Sequence, residues 1–361
     1  MRRAAVILAM LVAAVALLWW GQRLRSRGGV RFAAAELAPG ERLYPADDRY
    51  LIDPVIGHRP RPQSRTSFEI AAADGSVRHH CERATNDLGL VHSAPLPSPL
   101  TGPRVLLLGD SHMEGIVSED RHAATAVQHR LRAEPTLAAA LVLNASAAYY
   151  SLYQYVLRIR VLRDRLQPAV LVVVVFTGND LLELEDVSRP HLDDELVERA
   201  PVTEPPPETT SARLAWLGMR RDQFFQGLNQ ACYAMQRPER VPVLLRKANR
   251  CLELLRAAAE TDGAALRLVA LPPYDLVRPD AVRRLGEAPR QVVDSGVAEQ
   301  LHRGFVAAAK RQGLRCIDLL PAFRAHRGGA LYGEDFHVFL AAHDMLADVL
   351  VPELIAALRD G

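Results

Sequence analysis

Residues 169–180 read AVLVVVVFTGND. The apolar part of this stretch is mostly β-branched, which predicts a strand buried on both faces, as in a parallel sheet covered by helices. Polar residues then follow at once, beginning with Thr177 and including Asn179. Open parallel sheets bind their ligands at the carboxyl ends of the strands. The stretch therefore predicts an α/β fold and marks one edge of its sheet as a candidate site.

Further strands and helices extend this pattern along the chain. The other strands are predicted at residues 104–108, 141–144, 266–271 and 314–319, and the helices at 119–133, 151–166, 243–261, 297–312 and 340–358. Strands that alternate with helices predict right-handed crossovers and a five-stranded parallel sheet with helices on both sides. Residues 186–242 interrupt the alternation with prolines and aromatic residues, so we interpret them as an insertion within a domain at 101–361.

The N-terminal part of the chain has a different organisation. Residues 4–20 are apolar throughout and would rise about 25 Å as a helix, just enough to cross a bilayer. The absence of a small-x-small cleavage site favours an uncleaved membrane anchor over a signal peptide or a buried helix, although the arginines that follow oppose a simple positive-inside orientation. Residues 21–40 are predicted to be a linker and residues 41–100 a small β-rich module. We expect the domain at 101–361 to be periplasmic or extracellular.

Composition argues against some classes of function. The net charge is only +2 over 361 residues, which argues against a nucleic-acid partner. The four cysteines, at positions 81, 232, 251 and 316, have no spacing typical of a metal site. They are either buried thiols or, in an exported domain, joined in one of three possible disulfide patterns. No pattern in the sequence requires a metal or an organic cofactor.

The first predicted strand leads into VLLLGDSHMEG at residues 105–115, where Asp110 and Ser111 lie between a strand and a helix. A serine in this place is exposed at the carboxyl edge of the sheet, and a helix N-terminus stabilises developing negative charge. The position therefore suits a nucleophile. The alternative is that Asp110 or Ser111 simply caps the helix.

Two other segments supply partners for such a nucleophile. Asn179 can donate an amide N–H to an oxyanion, although Gly-Asn-Asp is also common turn chemistry. His337 lies just before the last helix and can act as the base that a serine nucleophile needs. Asp335 is two residues away and can fix the orientation of that histidine. We expect His343, further along, to serve packing instead.

Taken in order, these segments resemble the motif blocks of the SGNH/GDSL hydrolase superfamily over residues 104–358. The resemblance implies a flavodoxin-like three-layer α/β/α fold without a metal or cofactor. It implies that Ser111 in VLLLGDSHMEG is the nucleophile and that Asn179 in FTGND donates to the oxyanion. In DFHVFLAAHDMLADVL it implies that His337 is the base and Asp335 its acid. Glu334 lies at a spacing also used in the family and is the alternative acid.

The second block departs from the family pattern Asn-x-Gly/Ser-x-x-Gly. LNASAAYYSLYQY has Asn144 and Ser146, but Tyr149 stands in the last glycine position. The resemblance implies that the backbone N–H groups of Tyr149 and Ser111 complete the oxyanion hole. Tyrosine would be strained there if the position requires a positive φ. Upstream, LIDPVIGHRPRPQ and ATNDLGLV resemble a short β module of exported bacterial members.

The resemblance thus implies a serine esterase or acyl hydrolase whose partner is an ester-bearing small molecule, glycan or lipid. An O-acetyl or short acyl group on a carbohydrate or lipid is the substrate we expect. Two alternatives stay open: an O-acyltransferase that acts on envelope polysaccharide, and a catalytically degenerate protein that binds a glycan or a protein partner.

Overall fold

The computed structural model describes residues 30–44, 47–71, 77–202, 226–333 and 336–360. In chain order its strands are β1 (Val30–Ala34), β2 (Leu43–Tyr44), β3 (Asp47–Asp53), β4 (Gly57–Pro60), β5 (Ser64–Ala71), β6 (Val77–Ala84), β7 (Arg104–Leu108), β8 (Leu141–Asn144), β9 (Val170–Phe176), β10 (His191–Leu192), β11 (Glu198–Arg199), β12 (Ala265–Leu271) and β13 (Cys316–Asp318). Its α-helices are α1 (Ser111–Glu114), α2 (Ala123–Arg132), α3 (Leu152–Leu166), α4 (Gln226–Gln236), α5 (Arg240–Asp262), α6 (Tyr274–Val277), α7 (Pro279–Arg283), α8 (Glu287–Asp294), α9 (Val297–Arg311), α10 (Leu320–Ala325) and α11 (Leu340–Asp360).

Five strands form the predicted parallel sheet, in the order β13-β12-β9-β7-β8. This is a doubly wound order, in which the direction of the crossovers reverses between β7 and β9. The helices pack in two groups, α2 with α11 and α3 with α5 and α9, as expected when right-handed crossovers run in both directions. Every residue of β9 is buried, which explains its unbroken apolar sequence.

The predicted strands of the sheet are all present, and the differences lie at element ends. The last strand is shorter than predicted and covers only Cys316–Asp318. The helix predicted at 119–133 divides into a 3₁₀ turn at Glu119–Arg121 and helix α2. The division falls at His122, whose backbone is extended and whose Nδ1 accepts the N–H of Ala124 as the cap of α2.

The N-terminal module consists of two small antiparallel sheets, β1-β5-β6 and β2-β3-β4. Strand β1 lies inside the stretch that we predicted to be a linker, residues 21–40, and it pairs along its whole length with β5. The boundary at residue 41 is therefore too late, and the module begins by residue 30. Short strands of mixed polarity give little periodicity, which is why the sequence did not reveal β1.

The module packs against the end of α1 and the residues that directly follow it. Tyr50 donates its hydroxyl to the Glu114 carboxylate at 2.6 Å, and Arg83 forms an ion pair with the same carboxylate at 2.9 Å. Arg83 also donates to the carbonyl of Gly115, and a ring nitrogen of His79 contacts the carbonyl of Ile116. These contacts place the module at the carboxyl edge of the parallel sheet, beside Ser111.

Several predictions concern residues outside the described ranges. The candidate anchor at 4–20 lies there, as does the aromatic stretch around Trp216, Phe224 and Phe225 within the insertion. The described ends of the insertion contain the β10–β11 hairpin and helix α4. None of the helices in the described ranges combines the length and the apolarity that a membrane span requires. The four cysteines are all described and form no disulfide.

Candidate active site

Ser111 and His337 meet at the carboxyl edge of the sheet. Nε2 of His337 lies 2.9 Å from Oγ of Ser111, within normal hydrogen-bond range. Ser111 is the first residue of α1, directly after β7, and His337 lies in the loop that leads into α11. Both side chains are half-buried. The structure therefore brings together the predicted nucleophile and the predicted base, which are separated by 226 residues in the chain.

Asp110 caps α1 and leaves the hydroxyl of Ser111 available to His337. Oδ1 of Asp110 accepts the backbone N–H of His112 at 2.9 Å, so the capping alternative holds for Asp110 rather than for Ser111. Gly109 permits the tight turn, since a Cβ there would lie 2.6 Å from Cβ of Met113. Helix α1 is a single turn that ends at Gly115. The field of this helix is consequently smaller than the sequence led us to expect, because the macrodipole sums aligned peptide units.

The side chain of Asn179 contacts Asp110, the residue before Ser111. It forms a side-chain hydrogen bond with Asp110 that lowers the pKa of that carboxyl, so the amide is the donor. Burial nevertheless raises the pKa of Asp110 to about 6. Strands β7 and β9 are neighbours, with Leu108 opposite Val173, which explains why the residues that follow them meet. The amide nitrogen of Asn179 carries two N–H groups, and donation to an oxyanion stays a prediction.

A second buried carboxyl lies close to Asp110. Burial first, and the charge of Asp110 second, raise the pKa of Asp180 well above its usual range. Oδ2 of Asp180 accepts the hydroxyl of Tyr155 and the backbone N–H of Phe176, both at 2.9 Å. Asp180 therefore secures the turn after β9.

Tyr149 occupies the loop between β8 and α3 with a φ of 67°. The position thus has the left-handed backbone that favours glycine, and tyrosine is strained there by about 1–2 kcal/mol. The residue is 42 % exposed, although its ring also contacts the buried rings of Tyr50 and His58, with centroids 6.2 and 6.1 Å away. The strain that we anticipated at this position is present. The role of its N–H in an oxyanion hole stays a prediction.

Neither candidate acid lies within the described residues. Asp335 and Glu334 are both outside them, so the choice between these two partners for His337 stays as the sequence left it.

Asn144 and two histidines hold α1 in place. Nδ2 of Asn144 donates to the carbonyl of Met113 at 2.8 Å, and Nε2 of His122 contacts the same carbonyl at 3.0 Å. His343 is buried beside His122, with ring centroids 4.5 Å apart, and its Nδ1 accepts the N–H of Ala123. The expectation that His343 serves packing is confirmed. These contacts hold the turn that carries Ser111.

His112 is a supporting residue that the sequence analysis missed. It is fully buried, stacks on Phe176 at 3.6 Å, and lies 4.8 Å from the ring of His337. Its Nδ1 accepts the backbone N–H of Val338, so it holds the loop that carries His337. Burial first and His337 second keep the pKa of His112 well below its usual range. The only sequence signal was histidine in place of leucine in the GDSL tetrapeptide.

A cavity of about 970 Å³ lies elsewhere, between the module and the start of α2. Its lining includes Arg65, Glu82, Asp120 and His129, but not Ser111 or any residue that we predicted for the site. The hydroxyl–histidine contact, rather than the volume of this cavity, locates the candidate active site.

The doubly wound parallel sheet thus carries a histidine-bonded serine after its first strand in chain order and an asparagine after its third.

No family model and no curated protein matches the chain. It is similar to the solved structure of TesA, at 18 % identity over 70 % of this chain and 99 % of that one, with a TM-score of 0.41. It is also similar to the acetyl xylan esterase AlAXEase, at 15 % identity over 68 % and 97 % of the two chains, with a TM-score of 0.38. A third similar structure is that of a catalytic mutant of Axe2, an acetylxylan esterase from Geobacillus stearothermophilus. It matches at 13 % identity over 70 % of this chain and 95 % of that one, with a TM-score of 0.40. Similarity at this level does not identify a substrate, which has to be inferred from the side chains of this chain.

Proposed function

We propose that the chain is a serine esterase of the SGNH type, with Ser111 as nucleophile and His337 as general base. The observation that carries the proposal is the 2.9 Å contact between Oγ and Nε2 of these residues. Ser111 is the first residue of the helical turn α1, which follows the buried strand β7. A hydroxyl bonded to an imidazole at an accessible sheet edge is the arrangement that can activate a serine.

The proposed reaction begins when Oγ of Ser111 attacks an ester carbonyl and His337 takes the hydroxyl proton. The negative charge on the carbonyl oxygen is stabilised by the amide of Asn179 and by the backbone N–H groups of Ser111 and Tyr149. Asp335, or Glu334 in its place, would stabilise the imidazolium. His337 then protonates the leaving alcohol, and water attacks the acyl-enzyme with the same histidine as base.

The substrate that we propose is a short acyl ester of a carbohydrate, such as an O-acetyl group. The exposed ring of Tyr149 lies in the loop of the proposed oxyanion donor. Such a ring offers a flat, amphipathic surface against which a sugar can pack. The features that favoured an acyltransferase at the envelope were a membrane anchor at 4–20 and the aromatic stretch of the insertion, and both lie outside the described residues. Export and anchoring through residues 4–20 stay part of the proposal.

A fluorophosphonate probe and a short p-nitrophenyl ester test the proposal on the purified full-length chain. We expect the wild-type protein to bind the probe covalently and to hydrolyse the ester. Ser111→Ala and His337→Ala should lose both properties while keeping the wild-type circular dichroism spectrum. Turnover at the wild-type rate in either variant would remove the assignment, and a wild-type chain that neither labels nor turns over would favour a degenerate binding protein.

The choice between hydrolysis and transfer needs a separate product analysis. An acetylated oligosaccharide is incubated with the enzyme, with and without an unacetylated acceptor glycan. Free acetate in equal yield under both conditions supports hydrolysis. Movement of the acetyl group to the acceptor would show that an alcohol, rather than water, resolves the acyl-enzyme.

A further inference from the structure

The peptide group between Ala148 and Tyr149 joins the N-terminal module to the proposed oxyanion hole. Its carbonyl belongs to Ala148 and its N–H to Tyr149. Because a trans peptide is planar, the two groups point in opposite directions, and whatever holds the carbonyl also directs the N–H. Nε2 of His58, from strand β4 of the module, lies 2.8 Å from that carbonyl oxygen.

We propose that His58 is a positioning residue of the oxyanion hole: it holds the Ala148 carbonyl so that the N–H of Tyr149 points at the oxyanion of the substrate. This inference rests on the proposed esterase function. It gives the N-terminal module a part in catalysis, although the module contributes no residue that touches the reacting atoms.

The loop needs such a contact because its backbone is not one that tyrosine prefers. Tyr149 has a φ of 67°, a conformation that glycine adopts readily and other residues do not. Ala148 is held on both sides: its N–H donates to Oε2 of Glu114 at 3.0 Å, and its carbonyl contacts His58. Glu114 is in turn bonded to Tyr50 of the module. The surroundings therefore fix a conformation that the local sequence disfavours.

His58 is placed to act as a fixed donor. Its side chain is fully buried, stacked on Tyr44 with ring centroids 4.6 Å apart, and its backbone carbonyl accepts the hydroxyl of Tyr150 at 2.9 Å. Burial, and the charge of Arg189 second, lower the pKa of His58 to about 3. The imidazole is therefore neutral near pH 7 and carries one N–H. A carbonyl can only accept, so the hydrogen is on Nε2.

The orientation of the Tyr149 N–H matters more in the transition state than in the ground state. Charge develops on the carbonyl oxygen of the substrate only as Ser111 attacks, so a misdirected donor lowers kcat with little change in KM. A hydrogen bond to the carbonyl of a peptide also polarises its N–H and makes that group a better donor. Loss of the His58 contact should therefore act on the chemical step.

The test compares His58→Gln with His58→Met in the full-length enzyme. The two replacements have the same length, and both remove the ring, but only glutamine keeps an N–H near the position of Nε2. We expect His58→Met to lower kcat about 10- to 100-fold, with KM changed less than about threefold. His58→Gln should recover most of this loss. If the methionine variant does not fold, His58→Asn replaces it, because its amide is polar but too short to reach the carbonyl.

Tyr150→Phe is the matched control, because it removes the other hydrogen bond between the same two segments and leaves the Ala148–Tyr149 peptide untouched. Its kcat should stay within about twofold of wild type, whatever its melting temperature. Equal kcat in the glutamine and methionine variants, or a loss confined to KM, would overturn the positioning role. Ser111→Ala separates this outcome from failure of the proposed function: if Ser111→Ala retains turnover, the esterase assignment itself fails.

Discussion

Ser111 with His337 and Thr177 with His302 are two hydroxyl–histidine contacts in one domain, and they differ in their surroundings rather than in distance. The first contact measures 2.9 Å and the second 2.7 Å. In the second, Asp318 lies 3.0 Å from the other ring nitrogen of His302. By distance alone, Thr177, His302 and Asp318 form a hydroxyl–histidine–carboxylate triad.

Access and the destination of the hydroxyl proton distinguish the two contacts. Thr177 is 1 % exposed and His302 is fully buried, so no substrate can reach the threonine oxygen. Oγ1 of Thr177 also donates to the carbonyl of Leu271 at 3.1 Å, and this carbonyl competes with the imidazole for its single proton. These three residues, Thr177, His302 and Asp318, form a buried set that joins the end of β9 to α9 and β13. A hydrogen-bond distance alone does not identify a nucleophile.

Removal of each hydroxyl gives the largest expected difference between the two sets. Ser111→Ala should lower kcat for a short p-nitrophenyl ester by at least about a thousandfold, because no nucleophile remains. Thr177→Val, its matched counterpart, should keep kcat per folded molecule within a few-fold of wild type. Covalent labelling by a fluorophosphonate, followed by peptide mass spectrometry, should find only Ser111. Label on Thr177 would show that burial in the structure does not describe the working enzyme.

His302→Leu tests whether the buried set acts on stability. The replacement leaves Thr177 and Asp318 without their imidazole partner in a region that is mostly closed to water. We expect the free energy of unfolding to fall by about 1–3 kcal/mol, measured by urea denaturation. Activity per folded molecule should not change. A large fall in kcat with unchanged stability would assign the buried set to catalysis and contradict the distinction drawn above.

His112→Leu sharpens the description of the first pair, because it restores the GDSL tetrapeptide. Leucine cannot accept the N–H of Val338, so the loop that carries His337 loses one of its supports. We expect kcat to fall about three- to tenfold and stability to fall by about 1 kcal/mol. His112→Asn keeps a side-chain acceptor and is the control. An unchanged kcat in both variants would mean that His112 serves only to fill space.

Much of the fold followed from the sequence because its strongest signals are local. The β-branched run before Phe176 predicts a doubly buried strand, and the alternation of elements predicts the parallel sheet. Strand β1 was missed because it is short and is defined by its pairing with β5. Pairing partners of this kind are set by tertiary contacts rather than by periodicity.

The site was predictable where a residue type alone suggests its chemistry, and not where support comes from a distant segment. Ser111 and His337 were nominated by type and position, and the structure brings them together. The contacts of His58 and His112 join segments that have no sequence relation to one another. The backbone of Tyr149 was anticipated only through its glycine-like position, since φ depends on the loop as a whole.

The smallest expected effect concerns the pH dependence of the buried set. Burial acts to raise the pKa of Asp318, but the hydrogen bonds from His302 and from the N–H of Leu320 outweigh it, so the pKa lies below its usual value. A lowered folded-state pKa contributes stability that is present above about pH 4 and is lost as the pH falls through the folded value.

Asp318→Asn should therefore lower the melting temperature at pH 7, and this difference from wild type should shrink below pH 4. The effect should stay below about 1 kcal/mol, because the carboxylate is partly solvated. A difference that is the same at pH 3 and pH 7 would show that the loss of stability comes from the shape of the amide, and that the charge of the Asp318 carboxylate does not contribute to stability.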